Sequence, residues 1–330
     1  MKRFLPLLFA PVIVLAQDSS LKIERLDPAF DQLIAPGAQI EKLAEGFQWS
    51  EGPVWKDGAL YFSDVPQNKL YRWQPGDKAA KVFLEPSGGM EAKSDYVVPG
   101  SNGLTLDAKG NLIICQQGPR RVARLEKDGR QTSLTNGYEG KRFSSPNDVI
   151  YARNGDFYFT DPPYGLEGLN DSPLKEMKVN GVYRVKPSGE TTLVVKDLTF
   201  PNGLALSPDE KILYVGVSDP DAAKVWAYDV QPDGTVANKR LFFNVGPLVN
   251  DQRVGLPDGM KVDVQGNVWV TGAGGVLVIS PAGKHLGSII TSQQTGNCAW
   301  GDDGSTLYIC ANMFICRVKT LTKGVGMVNH

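Results

Sequence analysis

Six short segments of this chain repeat one plan that could do chemistry: SEGPVW at 50–55, SNGLTL at 101–106, PNDVIY at 146–151, PNGLAL at 201–206, PDGMKV at 257–262 and GNCAWG at 296–301. Their leading polar residues are Glu51, Asn102, Asn147, Asn202, Asp258 and Asn297, separated by 51, 45, 55, 56 and 39 positions. Two carboxylates and four amides, if brought together, make a ring of oxygens. That set suits a hard divalent cation, Ca²⁺ first and then Mg²⁺, with Mn²⁺ or Zn²⁺ compatible. Asn-Gly and Asp-Gly are also common turn dipeptides, and any one of them alone would mean only a turn. Their recurrence just before an apolar stretch argues against that reading, as does Glu51, a poor turn former that precedes Gly-Pro.

Composition narrows the chemistry further. The 330 residues include 2 His, His285 and His330, and neither lies at a repeated position. A Ser-His-Asp triad or a three-His zinc site is thereby excluded, so acids, bases and ligands must be mostly carboxylates and amides. With 35 Lys+Arg against 36 Asp+Glu the net charge is -1, which gives no global field to hold a polyanion. Nucleic acid and anionic membrane are not expected partners, and no stretch after the first residues approaches a membrane helix. Monomer and dimer both stay open. Cys115, Cys298, Cys310 and Cys316 lie in strand-like apolar contexts that favour buried thiols, and Cys310 with Cys316 is the one pair worth testing as a disulfide.

The elements that must position the ring also repeat. After each motif comes a polar turn and a strand of aromatic and β-branched residues, as in KDGALYF, ARNGDFYF and DVQGNVWV. A third element follows in every unit, from KLYRW at 69–73 to FICRV at 314–318, and in five units a fourth strand such as KVFLE or TTLVV. The sixth unit lacks its fourth strand, and Ile40 to Ala44 can supply it from the other end of the chain. The expected fold is all-β: a six-bladed β-propeller with four strands per blade, closed by an N-terminal strand, at about 52 residues per blade. Repeated aromatics such as Trp55, Phe157, Tyr158, Trp269 and Trp300 read as core between blades. Lys2 and Arg3 precede an apolar run ending in Val14-Leu15-Ala16, the pattern of an export signal spanning 1–16. A periplasmic or secreted location follows, with 17–38 as a poorly patterned lead-in and 39–330 as one propeller domain.

SEGPVW, SSPNDV, FTDPPYGL, FPNGLALSPDEKILYV, GLPDGMKVD with GNVWVTGAGGVLVISPAGK, and NCAWGDDGSTLYI, in that order over residues 40–318, resemble the SMP-30/gluconolactonase/LRE-like family in its bacterial gluconolactonase-type branch. The resemblance implies a propeller that binds one divalent metal at the channel mouth and hydrolyses small sugar-acid lactones. It places metal ligands on Glu51, Asn202 and Asp258, and a substrate contact or fourth ligand on Asn147. The metal would polarise the lactone carbonyl while water attacks, with Asp258 as general base by analogy, or with no protein base. Tyr164 and Arg121 are further candidates for gripping a hydroxylated acid. Two features depart from the family: Ser145-Pro146 stands where animal members resemble Arg-Phe, and Gln117 stands where many bacterial members have His. A phosphotriesterase or arylesterase on the same scaffold and a non-catalytic sugar-binding propeller with a structural cation are the competing functions.

Overall fold

In the computed structural model residues 21–90 and 98–326 are described; the expected export signal and His330 lie outside them. The repeated pattern becomes strands as its alternation requires. Phe157–Asp161 pairs antiparallel with Val149–Tyr151 on one side and Asn180–Val185 on the other, and Thr191–Leu198 completes the sheet. Phe157, Phe159 and Tyr183 pack with Ile113, Cys115 and Val122 of the preceding sheet, so the core lies between neighbouring sheets. The outermost strands, Lys81–Leu84 and Val236–Asn244 among them, are largely exposed. Around the axis the innermost strands contact one another in cyclic order: Ile40–Lys56, Ser101–Leu106, Val149–Tyr151, Pro201–Leu206, Met260–Val262, Asn297–Gly301, and Ile40–Lys56 again. The fold is an all-β propeller.

The number of separate sheets differs from expectation. Among the described residues five sheets of four to six strands form, with one two-stranded ribbon, where six independent blades were predicted. The reason is the long strand Ile40–Lys56. Its first half pairs with the C-terminal strand, Ile40 opposite Val318, Lys42 opposite Cys316 and Ala44 opposite Ile315, with Leu43 in a register shift. Its second half pairs with Ala59–Asp64. One uninterrupted strand thus joins both ends of the chain into a single six-stranded sheet.

The lead-in is better integrated than its sequence suggests. Lys22–Arg25 adds a fifth strand beside His285–Ile290, and Phe30, Leu33 and Ile34 are buried with Trp269 and Leu307. All four cysteines are buried free thiols, so Cys310 and Cys316 are not bonded.

Candidate active site

Five of the repeated polar residues stand at or just before the start of an innermost strand and Glu51 stands where Ile40–Lys56 changes partners, and steric crowding explains the glycine that follows most of them. A Cβ on Gly203 would lie 2.0 Å from the carbonyl oxygen of Asp258, and one on Gly259 would lie 1.9 Å from Cγ of Asn297. The glycines therefore serve close approach between neighbouring strands, and Gly52 also takes a positive φ of 52°. A second device aims the segments that lead into the ring. Buried Asp64 accepts from the backbone N–H of Gln48 (3.0 Å) and Trp49 (3.1 Å), just ahead of Glu51. Asp161 does the same for Ser144 (2.7 Å) and Ser145 (2.9 Å), just ahead of Asn147. Burial nevertheless pushes the Asp161 carboxyl up to about 7.

Glu51, Asn102, Asn147, Asn202 and Asp258 line one cavity of about 770 Å³, together with Gln117, Tyr164 and Ser218. The lining also includes the apolar Trp49, Val65, Val98, Val254 and Leu256 beside the polar Asn250, Asp251, Gln294 and Thr295. Asn297, the sixth repeated residue, lies deeper: its Oδ1 accepts from Cys298 N (2.9 Å) and from Nζ of Lys261 (3.3 Å). The Asp258 carboxyl sits against that of Glu51 and the amide of Asn202. Burial, then the charges of Glu51 and Asp148, raises Asp258 well above the carboxylate range. Burial and Asp148 push Glu51 up to about 7, although its Oε2 accepts from Gly52 N. Both acids would be far better placed beside a cation.

Among the described residues no group of three or more His, Cys, Asp or Glu has the arrangement to hold a metal, so a cation here needs amide oxygens as well. The residues fit that requirement. Asn202 Nδ2 donates to Ser218 Oγ (2.9 Å), whose hydroxyl in turn donates to the carbonyl of Pro257, and this fixes the amide with Oδ1 buried and partnerless. An unpartnered amide oxygen on a side chain in contact with the Asp258 carboxyl is a donor suited to a hard cation. Asn147, 5% exposed, lines the same cavity. Tyr164 stacks on Phe200 (centroids 5.9 Å apart), and its buried OH has no partner.

Arg121 is the sequence candidate placed elsewhere. It opens the strand Arg121–Leu125, its Nε donates to Gln116 Oε1 (2.7 Å), and it does not line the cavity. Asp148 is the residue that sequence reasoning passed over. It occupies the position that is glycine in four of the repeats, is fully enclosed, and leaves Oδ2 without a partner. Burial raises its carboxyl, and Lys261 opposes that rise. The signal was present as PND where other repeats read PNG or PDG. Ser218, by contrast, follows its strand with no repeated pattern to mark it.

A profile of the SMP-30/Gluconolactonase/LRE-like region matches residues 49–312. The chain is 41% identical over 311 residues to a gluconolactonase of Zymomonas mobilis, covering 92% of this chain and 87% of that protein. It is 26% identical to the pentonolactonase XacC of Haloferax volcanii, covering 78% and 80% of the two chains. Among solved structures, a gluconolactonase from Xanthomonas campestris superposes with a TM-score of 0.78 at 30% identity, covering 92% of this chain and 96% of that one.

Proposed function

The chain belongs to the SMP-30/gluconolactonase/LRE-like family, and on that premise we propose that it is a metal-dependent lactonase that opens sugar-acid lactones to aldonic acids. The observation that carries the metal is the partnerless Oδ1 of Asn202, a side chain in contact with the buried Asp258 carboxyl, which sits against that of Glu51. These three residues would hold one divalent cation, Ca²⁺ by donor type with Mg²⁺, Mn²⁺ or Zn²⁺ as alternatives. Bound there, the cation supplies Lewis-acid polarisation of the lactone carbonyl, worth several kcal/mol at the transition state.

The chain's own residues do the rest. The cavity holds the lactone over its polar floor. Asp258 would accept a proton from the attacking water at a carboxylate oxygen, a role assigned by analogy with the family, with water attack without a protein base as the alternative. The water oxygen bonds to the carbonyl carbon, the ring C–O bond breaks, and the departing ring oxygen takes up a proton to become a hydroxyl. Asn147 donates its amide hydrogens to substrate oxygens, and Tyr164 binds a substrate hydroxyl. Ser218 holds Asn202 in register throughout. The apolar lining residues keep aryl esters as the competing substrate class.

The test is turnover of D-glucono-1,5-lactone and other aldonolactones by purified protein, before and after chelation and with each metal restored. Metal-restored hydrolysis is expected, and absence of metal-dependent turnover on every lactone would reject the reaction. We further infer that the six-stranded sheet is two blades sharing one strand, which six innermost strands in cyclic contact support. Export through residues 1–16 is likewise proposed, and the N-terminal sequence of protein recovered outside the cytoplasm would test it.

A further inference from the structure

Gln117 is 1% exposed, it lines the cavity, and neither its Oε1 nor its Nε2 has a hydrogen-bond partner among the described residues. A buried primary amide with both ends idle is costly unless something else completes it. Its surroundings hold it in place. Its backbone N–H donates to Gly100 O (3.2 Å), and a Cβ on Gly165 would lie 3.0 Å from Gln117 Cβ and 3.3 Å from Oε1. Gly165 is itself pinned, since its N–H donates to Ser145 Oγ (2.9 Å), which donates to Pro162 O (2.6 Å). The amide is thus clamped in the cavity wall, with Asn147 and Tyr164 lining the same space.

We propose that Gln117 is a specificity-determining residue that hydrogen-bonds hydroxyl groups on the lactone ring; the inference rests on the lactonase reading above. A carboxamide offers an acceptor oxygen and a nitrogen with two donor hydrogens on the same carbon. Neighbouring ring hydroxyls each donate and accept, so one can donate to Oε1 while the next accepts from Nε2. The amide is neutral and does not select an anion. The idle Tyr164 OH provides a further partner on the same substrate. A lactone without hydroxyls would leave Gln117 and Tyr164 buried and unpaired, and sites built to bond a hydroxyl discriminate strongly against analogues that lack it.

The experiment compares wild type with Gln117→Met, which keeps length and volume but removes both hydrogen-bonding ends. Substrates are D-glucono-1,5-lactone and tetrahydropyran-2-one, the same ring without hydroxyls. The variant is expected to lose roughly 10- to 100-fold in kcat/KM on the sugar lactone and to change less than about twofold on the bare ring. An equal fall on both, or no fall on either, overturns the proposal. If wild type turns over neither lactone, the lactonase reading fails separately. Calorimetric binding of D-gluconate then decides for Gln117: affinity lost in the variant supports it, and equal affinity, or no binding to wild type, overturns it.

Discussion

The two mouths of the ring are similar in size and opposite in the state of their polar atoms. The larger cavity, about 870 Å³, opens away from Glu51 and Asp258 and is lined by Trp55, Tyr151, Trp300 and charged residues such as Lys56, Asp302 and Asp303. Its charges are satisfied locally. Asp302 accepts from Thr306, Tyr308 and Lys319, Asp303 from Ser305 and Lys323 (3.3 Å), and Lys56 pairs with Asp57 (2.6 Å). At the smaller mouth Gln117, Tyr164 and Asn202 all keep idle buried atoms, whereas Trp300 Nε1 is the one such atom lining the larger mouth among the described residues. Volume therefore misidentifies the site and unmet hydrogen bonding identifies it. The smaller mouth leaves four buried polar atoms open to a ligand, and the larger leaves one among the described residues.

The sharpest way to break that contrast is Asp258→Asn against Asp303→Asn. The first should leave a folded propeller with activity down by roughly two orders of magnitude or more, and the second should leave kcat/KM within about twofold. Equal effects would remove the distinction between the mouths. Next in size, Asn202→Leu should weaken metal binding by roughly 10- to 100-fold in a titration of the metal-free protein, because it deletes the idle oxygen. Ser218→Ala should weaken it less, on the order of threefold to tenfold, because the oxygen remains and only its tether is lost.

Acidity gives a third contrast. Glu51 in the metal-free protein titrates near 7 because it is buried beside Asp148, so protons compete with the cation below that pH. Apparent metal affinity should rise steadily from pH 6 to pH 8. Stability of the metal-free protein should run the other way. The folded Glu51 is more basic than the unfolded one, so its contribution is fully present below about 4.5 and is lost as pH rises through about 7. Thermal midpoints at pH 5 and pH 8, with and without chelator, check this: the fall should occur in the chelated sample and be reversed by metal. The smallest effect belongs to the larger mouth. Trp300→Phe removes its idle N–H and should leave lactone turnover unchanged within error of a steady-state assay.

How far the site was legible depends on what repetition exposes. Glu51, Asn102, Asn147, Asn202 and Asp258 could be expected to meet because one motif recurs around the axis, whereas the family resemblance, not the repeat, singled out Glu51, Asn202 and Asp258 as ligands. Asp148 escaped because it sits where the repeats place glycine, and a pattern search keyed on likeness passes over the one copy that differs. Arg121 does not line the cavity, and its side chain is tied back to Gln116 on the neighbouring strand, a contact that lies in the three-dimensional pairing and not in the motif. Gln117 stood out in the sequence only as a departure, and its idle amide became visible once Gly165 and Ser145 were seen against it. The propeller itself was readable from turn and strand periodicity. The merging of two units into one sheet was not, because continuity of hydrogen bonding along Ile40–Lys56 is a property of backbone path and not of residue type.

That shared strand also orders events in time. Glu51 is set in place by a strand whose other half is bonded to residues 314–318. At roughly 5–20 residues per second those partners leave the ribosome on the order of tens of seconds after Glu51 does. Until they arrive, the first half of that strand lacks its C-terminal partner and the ring around the axis is not closed. The ring that brings Glu51 beside Asp258 is therefore completed only once the last strand is in place.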